Sequence, residues 1–172
     1  MSWILTYTGR RVDLLEPDPD TIEAEDIAHA LSNMCRFNGH CRHFYSVAEH
    51  SWHVALLVSR ENALQGLLHD AAEAYIADVT RPLKSHLINY ADIEATLHSA
   101  ITARFGLSAE LPEEVKQADL VMLATERRDL MPPNNDRWPV LDGIKPIDYQ
   151  LAPMAPQTAE HLWLEAFREL SR

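Results

Sequence analysis

The chain has 172 residues, of which 47% are apolar and 24% are charged, a composition typical of one globular domain. With 15 basic and 26 acidic residues the net charge is −11, which argues against a nucleic-acid polymer as partner, because phosphate contacts need lysine and arginine. No apolar run is long enough to cross a membrane, the N-terminus lacks the layout of a secretory signal, and two cysteines are too few for a disulfide scaffold. We therefore expect a cytoplasmic protein without a membrane partner.

The N-terminal segment alternates apolar and polar residues around Gly9, a pattern that predicts a small β-hairpin. The stretch from Glu16 to Asp26 is acidic and contains prolines, and it predicts a solvated loop that leads into a helix. Asp18 and Asp20 leave a calcium loop as an alternative, although the glycine and the terminal glutamate of an EF-hand are missing.

The chain beyond this loop predicts helices. Apolar residues at helical spacing begin at Ile27, and Ser46 with Glu49 three residues later forms a capping box at the start of the next helix. Further helices are predicted over residues 64–75, from Thr80, over 90–105 with Gly106 at the end, over 111–130 and over 158–170. The sequence thus predicts a mostly α fold, a helical bundle with a small N-terminal β-hairpin.

We expect a single domain over residues 1–172. It divides into the hairpin and acidic loop at 1–24, the helical core at 25–130, and a proline-rich loop with a closing helix at 131–172. Residues 132–156 hold six of the ten prolines, which predicts an extended loop.

The motif His69-Asp70-Ala71-Ala72-Glu73 lies in a segment that is otherwise apolar. On a helix, the neighbouring His69 and Asp70 can turn toward one point, and Glu73 lies one turn further on the same side. Burying these groups is costly unless a cation or another partner compensates them, which suggests a site. The alternative is a helix edge that faces water.

A second group combines histidines and cysteines. His50 and His53 are three residues apart and can share one helix face. A structural zinc site is an alternative for a neighbouring set, although its spacing matches no zinc finger or ribbon. That set consists of Cys35, His40, Cys41 and His43.

Two further features carry charge. Asp119 is the lone acid between apolar residues, and a mixed set of histidine and carboxylate ligands suits a divalent cation such as Mn, Fe, Co or Zn. Thr80 can cap a helix whose N-terminus attracts an anion, with Arg81 and Lys84 beside it and Asp78 before it. An exposed helix position and an ordinary capped helix are the respective alternatives.

The order of these motifs resembles the H…HD…D signature of the HD-domain metal-dependent phosphohydrolases, and more closely that of the YfbR-like 5′-deoxynucleotidases and small deoxynucleoside triphosphate triphosphohydrolases. Five segments between residues 25 and 130 carry the resemblance. They are Arg36-Phe37-Asn38-Gly39, Ser46 to Ser51, His69 to Glu73, Asp78 with Pro82 and Lys84, and Val115 to Asp119. The resemblance implies an HD-domain helical bundle.

The resemblance also implies a role for each matching residue. The metal ligands are His50, His69, Asp70 and Asp119. Glu73 handles the attacking water and Asp78 is a second acid of the catalytic pocket, while Arg36, Phe37 and Lys84 bind the substrate. Beside Lys84, the charge of Arg81 makes it a further candidate for binding the substrate phosphate. Phe37 stands where relatives often have tryptophan.

From these features we expect an enzyme that uses a divalent cation (Co, Mn, Mg, Fe or Zn) to hydrolyse a small nucleotide. It acts either on deoxynucleoside monophosphates or on deoxynucleoside triphosphates, and the resemblance implies a homo-oligomer. Two alternatives remain: a non-catalytic nucleotide-binding or sensing protein, and an oxygenase of the HD type that uses further histidines.

Overall fold

The computed structural model describes residues 1–172 and contains a two-stranded antiparallel sheet followed by eight α-helices. Strand β1 spans Trp3–Leu5 and pairs with β2 at Arg11–Asp13, with Ile4 opposite Val12. The helices are α1 (Ala24–Asn33), α2 (Val47–Leu57), α3 (Ala63–Leu68), α4 (Glu73–Ile76), α5 (Arg81–Lys84), α6 (Tyr90–Arg104), α7 (Glu113–Leu130) and α8 (Pro156–Leu170). The predicted mostly helical fold with an N-terminal hairpin is confirmed.

Three short 3-10 helices join these elements, at Pro19–Thr21, Arg36–Gly39 and Pro139–Leu141. The first replaces part of the predicted acidic loop, and the Asp18 carboxylate accepts a hydrogen bond from the Asp20 amide at its start. None of the helices is both long and apolar enough to cross a membrane.

Helix α2 lies between two apolar cores and contributes to both. The larger core has 18 buried residues and extends from Val12 in the hairpin to Trp163 in α8. The smaller has seven buried residues, among them Val54 of α2 and Met122 of α7. Burying both long faces of α2 fixes it in position, so its polar side chains can be held at defined places.

The start of α2 confirms half of the predicted capping box. The Ser46 hydroxyl accepts a hydrogen bond from the Glu49 amide at 3.0 Å, as an N-cap does. The Glu49 carboxylate does not return to Ser46, however. It accepts a hydrogen bond at 3.0 Å from the amide of Met154, in the segment before α8.

The prediction of one continuous helix over residues 64–75 is wrong. Helix α3 ends at Leu68 and α4 begins at Glu73. Between them the backbone hydrogen bonds shorten to three-residue spacing, from the amide of Ala71 to the carbonyl of Leu68 and from the amide of Glu73 to the carbonyl of Asp70. The His69-Asp70 pair therefore lies in a tight turn, and helical spacing does not describe how its side chains relate to Glu73.

Gly66 lets α3 approach α2 closely. A Cβ atom at this position would lie 3.2 Å from the Cα of Ala55, which is tighter than ordinary packing. The absence of a side chain therefore brings the end of α3, and with it the following turn, against the helix that carries His50.

Residues 131–155 contain no helix apart from Pro139–Leu141, as the prolines predict. This segment is held against α7 by polar contacts. The Arg128 guanidinium donates to the carbonyl oxygens of Ile147 and Tyr149, and the Asp129 carboxylate accepts from the amide of Leu151.

Candidate metal centre

Three separate elements bring the predicted metal ligands together. His50 lies in the first half of α2, His69 and Asp70 lie in the turn between α3 and α4, and Asp119 lies in α7. His50 has no exposed surface and the His69 side chain is almost buried, whereas both aspartates remain partly exposed. The cluster is therefore enclosed on the histidine side and open to solvent on the carboxylate side.

The ligand atoms of His50, His69 and Asp119 all lie within 4.8 Å of one another. The two Nε2 atoms are 3.3 Å apart, and the Nε2 of His50 lies 3.2 Å from the Oδ1 of Asp119. Two atoms bound to one ion at about 2.1 Å each are roughly 3–4 Å apart, so these separations fit a shared ion. This group can hold a metal ion.

Asp70 lies beside this group. Its Oδ2 atom is 3.2 Å from the Nε2 of His69 and 3.6 Å from the Nε2 of His50. The same oxygen lies 3.5 Å from the Nη1 of Arg36. The structure thus brings all four predicted ligands together, with Asp70 shared between the histidines and an arginine.

Hydrogen bonds behind the imidazole rings determine which nitrogen atoms face the cluster. The Nδ1 of His69 lies 2.8 Å from the carbonyl oxygen of Gly66, and the Nδ1 of His50 lies 2.5 Å from the Oε1 of Glu126. Carbonyl and carboxylate oxygens only accept, so both Nδ1 atoms carry the proton and donate. In the neutral rings both Nε2 lone pairs then point at each other and at two carboxylates, an arrangement that needs a cation.

The carboxylates of the cluster raise the pKa values of both histidines, which favours a positive charge at this position. Burial opposes a charge on His69, but the Asp70 carboxylate outweighs it and raises the pKa of His69 to about 9. Burial likewise opposes a charge on His50, but Glu126 and Asp119 raise its pKa. Both shifts favour a proton on each ring, whose positive charge offsets the carboxylates. A divalent cation can replace those protons.

Glu73 is a buried acid near the cluster. Its Oε1 lies 3.4 Å from the Nζ of Lys84, and its Oε2 is buried without a hydrogen-bond partner. Burial, together with the negative charges of Asp70 and Asp78, raises the pKa of Glu73 to about 9. An unpartnered acid oxygen of this kind can exchange a proton with a bound molecule.

The basic residues predicted to bind substrate differ in their surroundings. Lys84 is half-buried, and its Nζ lies 2.7 Å from the Oε1 of Glu94. Arg81 is exposed. The helix Arg81–Lys84 has only four residues, and the Thr80 side chain makes no capping hydrogen bond, so the predicted cap is wrong. The anion site beside it stays a prediction.

Asp78 is half-buried next to a backbone of unusual conformation. Burial raises its pKa, although the charge of Arg36 opposes this shift. The preceding residue, Ala77, has φ 69°, a region that costs a non-glycine residue free energy and is concentrated at functional sites.

Phe37, like Ala77, is a non-glycine residue with a positive φ angle, 55°, in the 3-10 helix Arg36–Gly39. Its ring is half-buried and lies 6.4 Å from the ring of Trp138, a residue of the proline-rich segment. Trp138 in turn lies under the guanidinium of Arg127, 4.8 Å away. The structure therefore adds an aromatic partner to Phe37 that the sequence motifs do not indicate.

Glu126 is the polar residue of the centre that the sequence analysis missed. It lies in α7, seven residues after Asp119, and has no exposed surface. Seven residues correspond to two helical turns, so the spacing from Asp119 was a signal that both acids share one face of α7. The alternative zinc set of cysteines and histidines does not form a comparable cluster, and both cysteines are free.

Comparison with known proteins gives a family but no activity. The chain is 43% identical to the uncharacterized protein YfdR of Escherichia coli strain K12 over 172 residues, which cover 99% of this chain and 97% of YfdR. The chain belongs to the YfdR family. It is also 42% identical over 127 residues to the uncharacterized protein RCAP_rcc00048 of Rhodobacter capsulatus, covering 68% of this chain and 65% of that protein. No protein-family model matches.

Proposed function

We propose that this YfdR-family protein is a divalent-metal-dependent phosphohydrolase of the HD-domain type that acts on small deoxynucleotides. One observation carries the proposal. The Nε2 atoms of His50 and His69 and the carboxylates of Asp70 and Asp119 converge on one point, and the Nδ1–H groups of both rings point away from it. Such a set of nitrogen and oxygen donors suits a divalent cation such as Mn, Co, Fe, Zn or Mg.

Within this proposal, His50, His69, Asp70 and Asp119 would hold a divalent cation, which would lower the pKa of a water molecule and offset the charge of the phosphate. Glu73 would hydrogen-bond to the attacking water through the oxygen that has no protein partner. It would take the proton of that water as a base where the positive charges of the cation and of Lys84 lower its raised pKa. Asp78 assists as a second acid of the same pocket. Water adds to phosphorus as the ester bond to the leaving oxygen breaks.

The chain's own cations hold the substrate phosphate. Arg36 uses three of its nitrogens for Glu126 and Asp70, and N–H groups on both Nη atoms remain for an anion. Lys84 faces Glu73 and Glu94, so its ammonium lies next to the proposed acid. Arg81 is exposed, and we propose that it adds a further positive charge for the phosphate.

We propose that Phe37 contacts the sugar or base of the nucleotide. The ring is half-exposed beside Arg36, whose guanidinium carbon lies 5.5 Å from the ring centroid. A planar base can stack on such a ring while its phosphate reaches the basic side chains. We further propose a cytoplasmic homo-oligomer, which light scattering of the purified protein tests.

The experiment is product analysis with metal-stripped protein that is reloaded with Mn²⁺, Co²⁺ or Mg²⁺. Deoxynucleoside mono- and triphosphates are supplied separately, and phosphorus products are separated by chromatography. We expect metal-dependent release of phosphate from monophosphates or of intact triphosphate from triphosphates. Nucleotide binding without turnover under any of these metals would instead favour a non-catalytic sensing protein.

Glu73→Gln separates catalysis from metal binding. The variant keeps the four proposed ligands, so it should retain the metal while the hydrolysis rate falls by about 10²–10⁴, the usual contribution of a general acid or base. Glu61→Gln, which changes an exposed acid, is the control. A metal-loaded Glu73→Gln protein with the rate of this control would remove Glu73 from the mechanism.

A further inference from the structure

Glu126 has the most completely buried carboxylate of the candidate centre, and the proposed chemistry gives it no role. Its Oε1 lies 2.5 Å from the Nδ1 of His50. Its Oε2 lies 3.1 Å from both the Nε and the Nη2 of Arg36. Both oxygens are therefore used by protein partners.

We propose that Glu126 is a positioning residue that fixes His50 with its Nε2 directed at the metal. Together with Arg36, it holds the two ligands His50 and Asp70 in place. The inference rests on the metal centre of the proposed function. It concerns this chain's own contacts and not the reaction.

The first step of the argument is the tautomer of His50. A carboxylate accepts hydrogen bonds only, so Glu126 holds the ring proton on Nδ1 and leaves the lone pair on Nε2. An acceptor behind a ligand histidine also makes the ring a stronger donor to a metal. Without it, the Nδ1 of a fully buried ring would have no partner.

The second step is a closed chain of contacts. Arg36 reaches Glu126 with its Nε and Nη2 atoms and Asp70 with its Nη1 atom, at 3.5 Å. Glu126 reaches His50, and His50 and Asp70 meet at 3.6 Å in the cluster. Ligands from α2 and from the turn after α3 are thus tied together by residues 36 and 126, which come from two other elements.

The third step concerns free energy. A fully buried carboxylate is costly to desolvate, and a buried ion pair adds little stability over well-packed apolar residues. Glu126 is therefore poorly explained as a stabilising residue alone. Both of its partners belong to, or contact, the ligand cluster, which explains a charge at this position.

The test compares the affinity of metal-stripped protein for Co²⁺ in Glu126→Gln and in the wild type, by titration calorimetry. Glutamine has the size of glutamate, but its NH₂ group must face either His50 or Arg36, which are both donors. We expect Co²⁺ affinity to fall about 10- to 100-fold, as for other residues behind metal ligands. An unchanged affinity in a folded Glu126→Gln protein would overturn the inference.

Asp129→Asn is the matched control. Asp129 lies one turn later in α7, its side chain is 4% exposed, and it also pairs with an arginine, but it does not contact the cluster. We expect the control to keep the wild-type affinity for Co²⁺. Thermal unfolding of both variants in the absence of metal shows whether any loss of affinity follows from a general loss of stability.

A measurement on the wild type keeps the inference testable if Glu126→Gln does not fold. In ¹⁵N-histidine-labelled protein loaded with Zn²⁺, the His50 ring should carry its proton on Nδ1. The NMR signal of this ring is assigned as the one that disappears in His50→Gln. A proton on Nε2 would overturn the inference.

The outcomes separate the inference from the proposed function. Co²⁺ binding that depends on Glu126, without nucleotide hydrolysis, would overturn the function and support the inference. Nucleotide hydrolysis together with Co²⁺ binding that is independent of Glu126 would support the function and overturn the inference. A wild-type protein that binds no Co²⁺ would overturn both.

Discussion

Helix α7 carries two carboxylates, one turn apart, that each pair with an arginine but have different surroundings. Glu126 pairs with Arg36, and the two side chains are 0% and 10% exposed. Asp129 pairs with Arg128, and these are 4% and 37% exposed. The main difference is that Arg36 is enclosed, whereas Arg128 is in contact with water.

The partners of the two pairs differ as well. The Arg36–Glu126 pair contacts His50 and Asp70 and therefore belongs to the ligand cluster. The Arg128–Asp129 pair contacts backbone atoms of residues 147–151 and holds a loop. The buried ion pair thus contacts the ligand cluster, while the pair nearer the surface fixes the path of a chain segment.

The largest contrast is expected on removing each arginine. Arg36→Met leaves the Glu126 charge without its arginine in the interior, which should lower the free energy of unfolding by about 3–5 kcal/mol. Arg128→Met removes a partly exposed partner and should cost about 0–1 kcal/mol. Urea unfolding of the two variants measures both values. Equal losses would mean that the two pairs do not differ in the way described.

The second contrast concerns metal binding, with Asp119→Ala and Asp129→Ala on the same helix. Asp119 offers a ligand atom, so its loss should weaken Co²⁺ binding more than about 100-fold, beyond the usual effect of a residue behind a ligand. Asp129→Ala should bind Co²⁺ as the wild type does. Calorimetric titration of the metal-stripped variants measures this. Retention of full affinity by Asp119→Ala would exclude Asp119 as a ligand.

The smallest contrast is a pH effect at the loop. Hydrogen bonds from Arg128 lower the pKa of Asp129 below its ordinary value of 3.8. A carboxyl group with a lowered pKa stabilises the fold above the unfolded pKa, and this contribution disappears as the pH falls through the folded pKa. Asp129→Asn should therefore be less stable than the wild type near pH 7, and the difference should shrink below about pH 4. Thermal unfolding as a function of pH measures it; a difference that grows in acid would contradict this assignment.

Local patterns in the sequence were enough to predict most of the helices. Helices α2, α6 and α8 have apolar residues at helical spacing, and Ser46 and Gly106 mark boundaries that the structure retains. The break between Leu68 and Glu73 was not predictable in this way. No proline or glycine interrupts that stretch, and the nearest glycine, Gly66, lies inside α3, where it packs against Ala55 of α2.

The site was predictable only where its residues form short motifs. His69-Asp70 stands out as a polar pair in an apolar segment, and the order of the motifs added His50 and Asp119. Glu126 comes from the same helix as Asp119, but its two partners lie 76 and 90 residues away along the chain. A buried acid of this kind is indistinguishable from a solvated one until the fold brings its partners together.

The most direct test of the metal centre is an anomalous-scattering map of Co²⁺-loaded crystals, recorded at the cobalt absorption edge. We predict one peak per chain, at about 2.0–2.2 Å from the Nε2 atoms of His50 and His69 and from a carboxylate oxygen of Asp119. Asp70 should approach the same ion, and Glu126 should remain behind His50. A map without a peak between these residues, in crystals that contain cobalt elsewhere, would contradict the account.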